Sequence, residues 1–123
     1  MNATMKAQRA YSTAAAPTRT SKDIEYDAMA RITHKIRSSA QKGSVGFNSL
    51  VEALHDNRKL WDIFAAEVSD ASNPLPPDLK ARLFYLAEFT RHHTTKVLAN
   101  QDSVDALVEV NTSVLRGMRG GNN

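Results

Sequence analysis

The sequence contains no cysteine. Disulfide frameworks and thiolate metal sites are therefore excluded, an extracellular mini-scaffold held by disulfides is excluded with them, and a reducing compartment fits. No apolar run approaches the roughly 20 residues that a membrane-spanning helix needs, and the N-terminus lacks the continuous apolar stretch of a secretory signal. Glycine and proline are scarce, 5 and 4 among 123 residues, so the few breaks they impose carry information. What is present is ordinary for a globular protein: 41% hydrophobic and 24% charged residues, in a length that suits one domain spanning the chain. The net charge of +3 comes mostly from Lys6, Arg9, Arg19 and Lys22 in an acid-free opening segment. That segment superficially matches a mitochondrial transit peptide, and an imbalance this small does not by itself indicate a nucleic-acid partner.

No stretch alternates Val, Ile and aromatics with the period of 2 expected of strands, so the fold is predicted to be all α. Five helical segments emerge. A short, weakly amphipathic N-terminal helix runs from Thr4 to Ala16 and stops at Pro17. The second runs from Ser21 to Lys42, with Thr20 and Asp23 as a capping box and Ile24, Ala28, Met29, Ile32, Ile36 and Ala40 as its apolar stripe. Gly43 and Gly46 end it. The third runs from Asn48 to Ser69 behind a second capping box, Ser49 with Glu52. Its stripe of Leu50, Val51, Leu54, Trp61, Phe64 and Val68 is interrupted by polar His55 to Lys59, where Leu60 and Ile63 broaden the apolar surface and either a kink or a second contact is expected. The DASNPLPP linker, Asp70 to Pro77, is the clearest break, because each X-Pro disfavours helix in the residue before it. The fourth helix, Pro77 to Asn100, carries Leu79, Leu83, Leu86, Ala87, Thr90, Val97 and Leu98. The fifth, Ser103 to Arg116, is capped by Asp102 or Ser103 and carries Val104, Leu107, Val108, Val114 and Leu115. Long helices with short connections and one main stripe each predict an antiparallel four-helix bundle-like domain with a short N-terminal helix. An irregular helical array and a helix-exchanged dimer are the alternatives.

Catalytic constellations are not visible. Glu88 and His92 lie one turn apart, but the Glu-x-x-His repeat of di-iron bundles is missing. Gly43-Ser44-Val45-Gly46 follows a helix and lacks the lysine of a phosphate-binding loop. No serine sits in a Gly-x-Ser-x-Gly elbow. Enzymatic activity, a metal and a cofactor are therefore not expected. Arg9, Arg19, Lys22, Arg31, Lys35 and Arg37 could line a surface that tracks phosphates, yet no aromatic platform interleaves with them, and a solvated face is favoured. Asn111 falls inside the fifth helix's apolar stripe, where a lone amide either fixes packing register or bonds to a partner backbone. Phe84, Tyr85 and Phe89 offer more aromatic surface than one stripe can bury, and Leu60 and Ile63 broaden the third helix. These five residues are the candidate partner-binding face.

The stretches AYSTAAAPTRTSKDIEYDAMARIT, WDIFAAEVSDASNPLPPDLKARL, FYLAEFTRHHTTKVL and VDALVEVNTSVLRGM are more specific than a bundle pattern. Through Tyr11, Glu25, Tyr26, Trp61, Asn73, Pro74, Pro76, Phe89, Asn111 and Gly117 in particular, the chain resembles the FlaF family of alphaproteobacterial flagellar biosynthesis regulators over nearly its whole length. The resemblance implies that the opening segment is retained. It implies a cytoplasmic protein that promotes flagellin production, opposed to an FlbT-type regulator, and in some members binds flagellin before export. It carries no catalytic residue over. Direct contact with flagellin messenger RNA, or a structural place in the flagellar apparatus, are the alternatives, and no membrane partner is expected.

Overall fold

A computed structural model of the chain describes residues 21–120. The N-terminal helix expected from Thr4 to Ala16 and the Thr20 cap lie outside the described residues. Four helices follow in order: α1 (Ser21–Gln41), α2 (Phe47–Ser69), α3 (Pro77–Leu98) and α4 (Asp105–Gly120), with a 3-10 turn at Gly43–Gly46 between the first two. Among the described residues there is no strand, and no helix is long and apolar enough to cross a membrane.

Each helix backbone packs against two neighbours, α1 on α2 and α4, α3 on α2 and α4, while the diagonal pairs approach only through side chains. The order of core residues fixes the directions. Met29 precedes Ile36 in α1, Leu54 precedes Trp61 in α2, Ala87 precedes Val97 in α3 and Leu107 precedes Val114 in α4. These pairs alternate in which of two core clusters comes first, so successive helices run antiparallel. Lys35–Glu52 at 3.0 Å and Arg91–Asp62 at 3.1 Å bridge neighbours. The result is an all-α, up-and-down bundle in which the α3–α4 seam is the sparsest. All four helical stripes read from the sequence supply core residues, although Ile24, Val51, Leu79 and Leu98 at stripe ends are exposed.

The core has two apolar clusters. Met29, Leu60, Trp61, Phe64 and Ala87 form the one nearer the first residues of α1. Ile36, Ala53, Leu54, Val104 and Leu107 form the other, near the 3-10 turn. Trp61 meets Phe64 edge-on at 5.3 Å between ring centroids, the arrangement that ring quadrupoles favour.

Between the clusters lies a polar layer. The indole Nε1–H of Trp61 can only donate, so it fixes Asn111 Oδ1 as its acceptor at 2.9 Å. The Asn111 Nδ2 group must then point the other way, and it donates to Asn57 Oδ1 at 2.8 Å and Thr33 Oγ1 at 3.0 Å. Thr33 in turn donates to the Met29 carbonyl oxygen at 2.7 Å. Asn57 and Asn111 are fully buried. The amide of α4 therefore joins α1 and α2 across the bundle centre, which is the register role read from the sequence. Asn57 Nδ2 and Thr90 Oγ1 are buried without a partner.

Three local expectations change. The third segment does not kink at His55 to Lys59, because α2 is continuous there and Asn57 in that polar run faces the core. Ser49 and Glu52 form no capping box, since the 3-10 turn leads directly into helix at Phe47 and no side chain caps the start. The fifth segment runs on to Gly120 rather than stopping near Arg116. Its start does match, because Ser103 Oγ accepts the Asp105 N–H at 3.2 Å. The linker is ordered by turns of its own: Asp70 accepts from the N–H and hydroxyl of Ser72, both at 2.9 Å, and Asn73 Oδ1 accepts the Leu75 N–H at 3.0 Å. The two Ser72 bonds hold the Asp70 carboxyl below its ordinary pKa.

Candidate functional site: apolar surface at the helix ends

Five residues were expected to share a partner-binding face, and the bundle distributes them over different seams. Leu60 is a core residue packed with Trp61 and Phe64, so it offers no surface. Ile63 is half exposed and shares the side of α2 that bears Glu52 and Glu67, whose bonds both go to α1. Phe84 stands two turns before Arg91, on the side of α3 that reaches Asp62 of α2. Phe89 lies five residues beyond Phe84, about 140° round the helix, and stacks on His93 at 5.3 Å. His93 is buried, and its Nε2 meets the Ser103 carbonyl oxygen at 2.9 Å. A carbonyl can only accept, so Nε2 carries the proton, and the Phe89 flank faces α4. Tyr85 points outward, 67% exposed. The aromatic residues of α3 thus span about 140° of one helix, with Phe84 on the side towards α2 and Tyr85 and Phe89 one turn apart.

A second apolar surface, not anticipated from the sequence, lies where α1, the 3-10 turn, the start of α2, the end of α3 and α4 converge. It is a groove of about 1210 Å³. Leu50, Val97 and Val108 form its floor, with Phe47 and Leu98 on its walls; these two are 50% and 41% exposed. Two glycines shape this end. Gly43 takes φ 61, the left-handed conformation that ends a helix at least cost to glycine. Gly46 is buried, and a Cβ there would run into the Ser39 carbonyl oxygen and come within 2.9 Å of Lys42 Cβ. The hint in the sequence was Phe47, an aromatic immediately after a glycine-bounded loop that extends the Leu50, Val51 and Leu54 face to the very start of its helix.

Charge is arranged differently at the two ends of the bundle. The groove rim carries Asp102, Asp105 and Glu109 along the first turns of α4, Arg116 further on, and Arg37 across from them on α1. At the opposite end Glu25 of α1 shares a hydrogen bond with Glu67 of α2. Partial burial, that bond and repulsion from the second carboxylate push Glu25 up to about 7, against a smaller pull from Lys22. Glu25 therefore keeps its proton towards neutral pH. No group of three or more His, Asp or Glu among the described residues is placed to hold a metal ion.

Fold and surface together define a small up-and-down helical bundle, locked by a buried amide, that presents a concave apolar surface at one end. Comparison with known families is more specific. The family described as Flagellar protein FlaF matches residues 7–118, and the chain belongs to that family. No curated protein and no solved structure matches it.

Proposed function

We propose that this FlaF-family protein promotes flagellin synthesis and secretion by binding flagellin in the cytoplasm as a chaperone-like partner, without catalysis and in functional opposition to an FlbT-type regulator. Its membership of a flagellar family supports the setting. The observation that carries the binding role is a completed core beside half-exposed apolar side chains, because Phe47 and Leu98 flank a groove that the bundle itself leaves unfilled. Flagellin is a fitting client: its terminal segments are disordered before assembly and amphipathic, and a helical protein with a spare apolar groove can cover them. The basic residues favour a protein client over messenger RNA. Lys35 is engaged with Glu52, and Arg31 and Arg37 stand about 120° apart around α1, which makes no continuous basic track on that helix.

Co-purification of the full chain with its organism's flagellin at physiological salt, followed by size exclusion, tests this reading. A stoichiometric complex is expected. A folded protein that elutes free of flagellin overturns it.

A further inference from the structure

We propose that the groove between the 3-10 turn and α4 is the seat of the client, and that it takes one amphipathic helical segment of flagellin lying along α4. The inference rests on the flagellin-binding reading and adds which surface does the work and what the bound segment looks like.

Shape comes first. The exposed aromatics of α3, Phe84 and Tyr85, stand about 100° apart on a convex helix surface, and neither lines the groove. The groove is concave, and its floor of Leu50, Val97 and Val108 is apolar. Its lining along α4 extends from Asp105 to Arg116, a run of about 17 Å at the rise of an α-helix. That length suits about three turns of a partner helix, with Phe47 and Leu98 closing over the apolar side chains inserted between them.

Charge then gives a polarity. Glu109, Arg116 and Arg37 have no ion-pair partner among the described residues. The acids stand at the start of α4 and the arginine towards its end. A complementary helix is therefore basic where it passes Asp102, Asp105 and Glu109, and acidic where it passes Arg116. Unpaired rim charges of both signs in a fixed order select a partner orientation more than they add affinity.

Calorimetric titration of the full-length protein with purified flagellin decides the matter, with circular dichroism confirming that each variant is folded. The double substitution Phe47→Ser with Leu98→Ser is expected to weaken binding by about tenfold or more, the loss typical of truncating anchors at an interface centre. Glu109→Lys, an exposed change that leaves the core untouched, is expected to weaken it by about threefold at low salt, with the difference shrinking as salt is added. In amide exchange, residues around Phe47, Leu98 and Val108 should gain protection when flagellin is added.

A complex that both groove variants leave intact, or one lost only on Phe84→Ser with Tyr85→Ser, overturns the groove while flagellin binding itself stands. Absence of any complex with the unaltered protein removes the reading and the groove together. Protection of the groove in the free protein, unchanged by flagellin, assigns it to another part of this chain and overturns the proposal. A free dimer that the Phe47/Leu98 variant converts to monomer assigns it to a second copy, with the same consequence.

Discussion

The centre of the bundle and its groove end invert the usual distribution of side chains, and they do so in opposite senses. At the centre, Asn57 and Asn111 are fully enclosed and Thr33 is 5% exposed. At the groove end, Phe47 and Leu98 stand about half in water. Hydropathy alone would place both groups wrongly. What separates them is partners: the central amides are joined to an indole, a hydroxyl and each other, whereas the two groove residues meet a space that nothing in the bundle occupies. Buried polarity with satisfied bonds fixes a structure, and exposed apolarity on a concave surface invites a ligand.

The sharpest way to break this contrast is to delete the central amide. Asn111→Ala leaves the Trp61 N–H and the oxygens of Asn57 and Thr33 without their partner, and is expected to cost about 3 kcal/mol, or roughly 15 °C in the melting temperature. Chemical denaturation and thermal melting both read it. The next effect belongs to the loop that shapes the groove. Gly46→Ala drives a methyl group into the Ser39 carbonyl, and should destabilise by about 2 kcal/mol through forced backbone movement. Phe47→Ser should cost less, about 1 kcal/mol, because the ring already loses only half its hydration on folding. If removing that ring proves more damaging than removing the Asn111 amide, the division into lock and seat is wrong.

The carboxyl pair gives the smallest stability effect and a distinct pH signature. A carboxyl whose folded pKa lies above its unfolded value binds its proton more tightly in the native state, so its contribution is greatest at low pH. That contribution declines as pH rises from the unfolded value of Glu towards about 7. Glu25→Gln should flatten this part of the stability curve and make the protein slightly more stable at pH 8, by less than about 1 kcal/mol because the pair is partly solvated. Denaturation midpoints at pH 5 and pH 8 for both proteins check it, and an unchanged slope counts against a proton retained by Glu25.

Much of the fold was legible because helical periodicity is a property of one segment at a time. The stripes, the proline-rich linker and the Ser103 cap all follow from residues within a few positions of one another. Asn111 stood out for the same reason, an amide inside an apolar row. The polar run containing Asn57 was read as an interruption because its partner lies 54 positions away. The candidate face is spread over more than one side of the bundle on similar grounds. Neighbours in sequence such as Phe84 and Tyr85 look like a cluster when written in a line, and a helix turns them about 100° apart. The groove is built from the ends of several segments, which no single periodicity can reveal.

The buried amide has a consequence for how the protein is made. Asn111 belongs to the last helix to leave the ribosome, yet it satisfies groups on the first two, and α1 finds one of its two neighbours only in α4. Until that helix emerges, a nascent chain holds a tryptophan and an asparagine whose polar atoms must stay wet, so α1 to α3 cannot close into a dry core. Completion of the fold therefore waits for α4 to be translated, and a chain cut short before α4 should be a substrate for proteases rather than a smaller version of the protein.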